Sequence, residues 1–245
     1  MDYVITIPSY NRFSTILGRT LKFLLSHNID MNKVHIFAHP FSYDEYKVIE
    51  EKINGVKVIE SKGGIMNSRN YITEYFDEGT NIVSIDDDVD ELIDLNTNQP
   101  LENLHEFIEE SFSMSANGIW GVCALTNKFY SNMKDKFGLQ SIVATFCGFV
   151  NYKSIVLTLD LMEDYERVIK YYLNDKTILK RSWVGIRTKY WTLEGGLQTD
   201  LDREKRLQLQ NYCSDELATS YPNLVFQRTR KNGLKDIRFF YKKTN

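Results

Sequence analysis

The sequence predicts an α/β fold, a mostly parallel sheet flanked by helices, on three observations. Short apolar runs alternate with stretches of helical period through the first part of the chain, the order that lays parallel strands under crossover helices. Hydrophobic residues make up 42% and aromatics 13%, with four prolines, a composition foreign to disordered or fibrous chains. The length, 245 residues, suits one large domain with its own core.

The first element is Tyr3-Val4-Ile5-Thr6-Ile7-Pro8, an apolar run stopped by proline and read as a strand. From Ser14 to Leu25 the residues Ile16, Leu17, Thr20, Leu21 and Leu24 recur at helical spacing. A strand over Lys33 to Ala38, a helix over Tyr43 to Ile53, a strand over Val56 to Ile59, a helix over Asn67 to Phe76 and a buried strand over Asn81 to Ile85 continue the alternation. That strand runs into Asp86-Asp87-Asp88. A loop is expected next, around Asn96, Asn98 and Pro100, then a helix over Leu104 to Ser115 and strands within Trp120 to Leu125 and Ser141 to Val150. Tyr165 to Leu173 is amphipathic and helical, Arg181 to Tyr190 is strand-like, and Glu194-Gly195-Gly196 marks a turn. Arg203 to Tyr221 reads as a polar helix and Asp236 to Tyr241 as a last strand. No repeat or low-complexity linker divides the chain, so a single domain over residues 1–245 with a basic C-terminal extension is expected.

Charge is unevenly spread. Residues 1–164 hold 24 acidic and 13 basic side chains, and residues 165–245 hold 9 and 17, so a net charge of -3 hides an acidic body and a basic last third. Such a basic segment either faces something anionic, with nucleic acid the obvious candidate, or is a solvated face. No apolar stretch has the length of a membrane span, and the N-terminus lacks the basic-then-apolar layout of a signal peptide. The expected location is therefore cytoplasmic, the host cytoplasm if the protein is viral. Cys123, Cys147 and Cys213 are odd in number and lack CxxC spacing, which fits reduced thiols packed as small apolar groups.

In an open parallel sheet, ligands bind at the carboxyl ends of the strands. Here the first strand delivers Pro8-Ser9-Tyr10-Asn11-Arg12 to that edge and a later one delivers Asp86-Asp87-Asp88. Adjacent carboxylates repel one another and are costly to bury without a compensating cation. Oxygen ligands with no histidine or thiol nearby favour Mg²⁺ or Mn²⁺, with phosphate oxygens in the remaining positions. The competing reading is an acidic turn open to water; the flanking Ile82, Val83, Ile85 and Val89 argue against it. Asp90 and Glu91, further along, either support the metal ligands from behind or are solvated, and the second reading is favoured. Arg12 and Arg69 are candidate diphosphate ligands, because guanidinium forks match phosphate oxygens; the alternative for each is a surface ion pair. Glu163 and Asp164 open a helix whose dipole stabilises them, and one of them can face a sugar or take a proton from an acceptor hydroxyl, unless both are ordinary first-turn acids. His27, His35, His39 and His105 show no ligand spacing and are read as structural or surface residues.

Three of these segments together resemble a known family. Ile7-Pro8-Ser9-Tyr10-Asn11-Arg12 looks like the opening of GT-A glycosyltransferases, where this loop cradles the base and ribose of a nucleotide sugar. Ile85-Asp86-Asp87-Asp88 resembles their DxD motif, and Gly63-Gly64-Ile65-Met66-Asn67-Ser68-Arg69-Asn70 is similar to the glycine-rich segment ending in Arg-Asn that precedes it. The resemblance covers roughly residues 3–90 and, more loosely, 145–200. It implies a GT-A-like (Rossmann-like) fold and metal-dependent transfer from a nucleotide-sugar donor, UDP-glucose being the expected one. Residues 1–95 then form the nucleotide-sugar-binding part, with Pro8, Tyr10, Arg12, Gly64, Arg69, Asp86 and Asp87 on the donor and Asp86 and Asp88 on Mn²⁺ or Mg²⁺. Residues 96–245 form the acceptor part, with Asp164 and Glu163 as catalytic candidates. In an enzyme that retains the anomeric configuration, Asp164 would orient or stabilise rather than act as a base. Some GT-A enzymes add a histidine ligand near the C-terminus, and this chain has no histidine after His105.

A narrower resemblance concerns the acceptor. Ala38-His39-Pro40-Phe41-Ser42-Tyr43-Asp44-Glu45-Tyr46 looks closer to the glucosyltransferases of phages and base-J-type systems, which act on hydroxymethylated pyrimidines in DNA, than to the commonest inverting members. Cys147-Gly148-Phe149-Val150, Met162-Glu163-Asp164 and Gly195-Gly196-Leu197 add to that likeness. Two basic groups, Lys176, Lys180, Arg181, Arg187 and Lys189 and then Arg228, Arg230, Lys231, Lys235, Arg238, Lys242 and Lys243, are interleaved with Tyr171, Tyr172, Trp183, Tyr190, Trp191, Phe239 and Phe240. That mixture can track a phosphate backbone and stack on bases, or it can be core aromatics beside solvated lysines. DNA is accordingly the expected acceptor, a surface polysaccharide or glycoprotein the second, and a non-catalytic nucleotide-sugar or nucleic-acid binding module the reading from another class.

Overall fold

In a computed structural model, which describes residues 1–116, 118–127, 133–188 and 203–240, the apolar runs become strands covered on both faces. β1 (Val4–Ser9) lies between β2 (Val34–Ala38) and β4 (Asn81–Ile85), parallel to both, and β3 (Lys57–Glu60) extends the parallel array beyond β2. Alternate side chains enter opposite cores. Ile5, Ile7, Ile36, Val83 and Ile85 join one, and Val4, Phe37 and Ile82 join the other. Burial on both faces is why these strands read as nearly continuous apolar runs.

On the first face lie α1 (Phe13–Ile16) and α2 (Lys22–Ser26), joined by a π-helical turn over Leu17–Leu21, with α3 (Tyr43–Lys52) and α5 (Leu104–Met114) beside them. On the second lie α4 (Ile65–Tyr75), α6 (Glu163–Asp175) and α7 (Arg203–Ser220). β4 continues through β8 (Phe146–Val150), β7 (Ile119–Cys123), β9 (Leu179–Thr188), β5 (Val89–Asp94) and β6 (Gln99–Pro100), giving nine strands in the order β3-β2-β1-β4-β8-β7-β9-β5-β6. Antiparallel pairs enter only beyond β4, at β4–β8, β7–β8, β5–β9 and β5–β6. A separate hairpin, β10 (Val225–Thr229) with β11 (Lys235–Phe239), packs on α7.

Three elements differ from the sequence reading, one of them the short β6 inside the loop expected around Asn96, Asn98 and Pro100. The segment after the aspartates is strand β5 rather than loop, because a bulge between Val89 and Glu91 breaks the period-two pattern that would have announced it. β10 was not expected either, since Val225 is its one buried side chain. The expected turn at Glu194-Gly195-Gly196 and the residues Lys189, Tyr190, Trp191, Leu197, Lys242 and Lys243 lie outside the described residues. The cysteines are free and buried, as expected. No helix among the described residues is long and apolar enough to cross a membrane.

One glycine shows why the middle of the sheet closes. A Cβ on Gly148 in β8 would come within 2.3 Å of the Trp120 ring, which lies fully buried across the β7–β8 pair. The tryptophan occupies the volume that any larger residue would need.

Candidate active site

The chain leaves β1 toward β2 on one side and enters β4 from the other, so the carboxyl ends of β1 and β4 open a crevice at a topological switch point. A cavity of about 460 Å³ sits there. It brings together Pro8, Tyr10, Arg12, Gly64, Arg69, Asp86, Asp87, Glu163 and Asp164, nine of the ten residues singled out in the sequence. Asp88 is not on its wall; it lies beside the same cluster, 3.4 Å from Arg12.

The three aspartates do different work. Asp87 turns inward, 5% exposed, and accepts from Ser9 Oγ at 2.6 Å and Arg12 Nη1 at 3.0 Å. Burial pushes its carboxyl up to about 6 even against Arg12 and Ser9. Tyr46, fully buried, ties this corner down, its hydroxyl 2.7 Å from Ser9 Oγ and accepting from the Arg12 N–H at 2.9 Å. Asp86 faces the cavity with about a third of its side chain exposed. Asp88 titrates above the ordinary carboxylate range, through burial and then the nearby Asp86. Asp86 and Asp88 are thus near enough to repel, each with one longer guanidinium contact, to Arg69 at 3.3 Å and to Arg12 at 3.4 Å, while Asp87 is held more closely by Arg12 and Ser9.

That arrangement fits a hard divalent cation held by two carboxylates and completed by phosphate and water oxygens. Among the described residues there is no group of three or more acidic, histidine or cysteine side chains that could hold a metal without such help.

The π-helical turn explains how the triplet is held. Thr20 Oγ1, fully buried within it, donates to the Asp86 carbonyl at 2.8 Å and accepts from the Val89 N–H at 3.0 Å, clasping the turn at both ends. Thr188 Oγ1 of β9 donates to the Asp88 carbonyl at 2.8 Å. Asp90 and Glu91, read as solvated, are instead ion-paired, Asp90 with Arg19 at 2.7 Å and Glu91 with Arg187.

Gly63-Gly64 opens α4. Gly64 has φ +83°, a conformation that side chains resist, and places the first turn of α4, with its free N–H groups, on the cavity wall. Arg69, 3% exposed, is shared: Nη1 donates to Ser84 Oγ at 3.1 Å, Nη2 to Asp86 at 3.3 Å and Nε to Glu163 at 3.1 Å. Asn70 completes the clamp by donating to the Leu157 carbonyl and accepting from the Leu157 N–H, both at 2.8 Å. The Arg-Asn pair therefore fastens α4 to the segment that leads into α6.

Glu163 and Asp164 begin α6 on the opposite wall. Asp164 is held above the ordinary carboxylate range by burial and by the adjacent Glu163 charge. Glu166 supports this corner from beneath, accepting the Thr158 and Leu159 N–H groups at 2.8 and 3.1 Å.

The sequence reading missed several wall residues. His39, taken as structural or surface, lines the cavity with its ring 4.2 Å from that of Tyr10. Lys62, Thr145 and Arg206 line it as well, Arg206 reaching in from α7. Nothing but charge marked Arg206 in advance.

The basic-aromatic mixture splits. Arg181 is a buried hub, bonded to Asp135, Ser111 and Glu110 at 3.1, 3.0 and 2.9 Å, and Tyr171 and Phe239 are core residues. Trp183 packs partly buried against the first core. Burial removes Arg181, Tyr171 and Phe239 from any contact with a polyanion. Arg228, Arg230, Lys231, Arg238 and Phe240 remain exposed on the hairpin.

No family model and no curated protein matches the chain. Solved structures do. Glucosyl-3-phosphoglycerate synthase from Mycobacterium tuberculosis, in complex with Mn²⁺, uridine diphosphate and phosphoglyceric acid, aligns with TM-score 0.53 over 97% of this chain and 86% of that one, at 10% identity. The same enzyme with Mn²⁺, UDP-glucose and glycerol 3-phosphate gives 0.52 over the same shares, again at 10% identity. A further mycobacterial protein gives 0.50 at 8% identity, over 97% of this chain and 83% of that one. The fold is that of these proteins, a GT-A-like α/β sheet with helices on both faces.

Proposed function

We propose that this chain is a metal-dependent glycosyltransferase that moves a hexose, glucose by expectation, from a UDP-sugar to a hydroxymethylated pyrimidine in DNA. The observation that carries the transferase reading is the shared Arg69, which joins Asp86 on the donor wall to Glu163 on the facing wall across one cavity. Two solved structures of the same fold hold Mn²⁺ with uridine diphosphate or UDP-glucose, which favours that donor and that metal. The acceptor rests on the resemblance in layout and on the basic hairpin.

In this reading the first turn of α4 and Arg12 face the diphosphate, and Tyr10 with His39 offers a ring surface to the base. Asp86 and Asp88 would hold a divalent cation, which would supply stabilisation for the charge that grows on the departing nucleoside diphosphate. Arg69 keeps Asp86 aimed at that position while fixing Glu163. Asp164, on the facing wall of the cavity, is in this reading the group that takes the proton of the acceptor hydroxyl.

The test is transfer of radiolabelled glucose from UDP-glucose, with Mn²⁺, to DNA containing hydroxymethylcytosine or hydroxymethyluracil, to unmodified DNA and to glycan acceptors. Label on the modified DNA, lost at least a hundredfold in Asp88→Asn with the fold intact, supports the proposal. Label on a glycan moves the acceptor to a polysaccharide or glycoprotein. Full activity in Asp88→Asn defeats the metal reading, and binding without any turnover leaves a nucleotide-sugar or nucleic-acid binding module.

A further inference from the structure

The β10–β11 hairpin has two unlike faces. Val225, Ile237 and Phe239 point inward and are buried with α7 and α6, Phe239 lying 5.7 Å from Tyr165, the neighbour of Asp164. Phe226, Arg228, Arg238 and Phe240 point outward. Period two along each strand forces this division. The two outward phenylalanines are 44% and 46% exposed, with ring centroids 5.1 Å apart, and a shallow depression runs between them and the two arginines.

Exposed aromatic rings packed on each other, with guanidinium groups at their sides, are an unusual outer face for a hairpin that has already buried its apolar side. Phe226 stands in register with Arg238, and Arg228 with Asp236. The Asp236 charge is taken up by Arg230 at 2.5 Å, which leaves the face cationic. Arg228, Arg238 and Lys231 make no ion pair among the described residues, whereas Lys235 is bound to Asp215 at 2.6 Å. A second copy of the chain would bring arginine against arginine here, and two phenylalanines are a small apolar area for a lipid surface. Flat rings beside free guanidinium forks match the base and phosphate of one strand.

We infer that the outward face of the β10–β11 hairpin binds single-stranded nucleic acid, bases stacking on Phe226 and Phe240 and phosphates pairing with Arg228 and Arg238. The hairpin packs on α7, the helix that sends Arg206 into the cavity wall, and its inner face touches the start of α6. A strand held there is one element away from the cavity. The inference deepens the acceptor reading above but does not need the transfer reaction.

The experiment is fluorescence anisotropy of the full chain with a labelled oligothymidylate of about 12 nucleotides, a duplex of matched length, and heparin as competitor. Single-strand binding should weaken about tenfold or more in Phe226→Ala/Phe240→Ala and recover in Phe226→Tyr/Phe240→Tyr, which keeps the rings. Arg228→Ala/Arg238→Ala should lower the slope of log affinity on log salt by about 1.4, at about 0.7 per phosphate contact on a single strand. Circular dichroism checks that each variant folds, and UDP-glucose binding, read by thermal shift, should stay unchanged in all of them. Binding that ignores the phenylalanines overturns the inference in favour of bare charge attraction. It also fails if the oligonucleotide does not bind, if the chain prefers the duplex, or if anionic phosphatidylserine vesicles take the same face instead. UDP-glucose binding lost while oligonucleotide binding persists would instead count against the transferase reading alone.

Discussion

Asp164 carries the most telling titration at the scale of single residues. Burial and the neighbouring Glu163 both hold its proton, so its folded-state value lies above that of the unfolded chain. Two consequences follow with definite sign. As a base it works only when deprotonated, so kcat/KM should rise with pH through a single ionisation above the usual carboxylate range. Glu163→Gln, which removes the like charge, should move that ionisation to lower pH, and Asp164→Asn should abolish it. For stability, the bound proton favours the native state below the unfolded value, and this contribution fades as pH rises through the folded one. A pH profile of wild type and both variants reads the first effect, and a flat wild-type profile would leave Asp164 an orienting role. Asp87 shows the opposite use of burial: its partners Ser9 and Arg12 make it part of the framework, which the repeated Asp86-Asp87-Asp88 string hides from a reader of the sequence.

Between elements, the connections that matter are polar and buried. Asn151, just past β8, is fully buried and donates to the carbonyls of Thr73, Phe76 and Asp77, each at 3.0 Å, at and just beyond the last turn of α4. Asn151→Ala takes this donor from the Thr73 and Phe76 carbonyls, while Asp77 keeps the Thr80 N–H at 3.2 Å, and urea unfolding should show a loss of about 2–3 kcal/mol with an unchanged m-value. The variant should keep its transfer rate while folded, because α4 still begins correctly at Gly64. Helix positions were legible in advance because their apolar spacing is local, as in Tyr43–Lys52 and Leu104–Met114. β5 and β10 were not: a bulge disguises the first, and the second draws its order from pairing with β11 and packing on α7.

For the whole molecule, a ligand that spans both walls should stabilise everything that Arg69 joins. UDP-glucose with Mn²⁺ at a hundred times its dissociation constant adds about 2.7 kcal/mol, and for a chain of this length each kcal/mol raises Tm by about 2–4 °C. A shift of about 5–10 °C is expected with both ligands, shrinking to that of the nucleotide sugar alone in Asp86→Asn/Asp88→Asn. An equal shift without the metal would remove Mn²⁺ from the site. By itself the sequence determined the parallel half of the sheet and singled out ten residues of which nine line the cavity, since apolar period and strand-end polarity are local properties written residue by residue. Only the tertiary structure decided which aspartate is structural, that Arg69 and Asn70 clamp the two walls, that His39 and Arg206 join the wall, and that Arg181 belongs to the core. Each of those facts is a contact between side chains far apart along the chain, such as Arg69 with Glu163, and no local pattern encodes such a pairing.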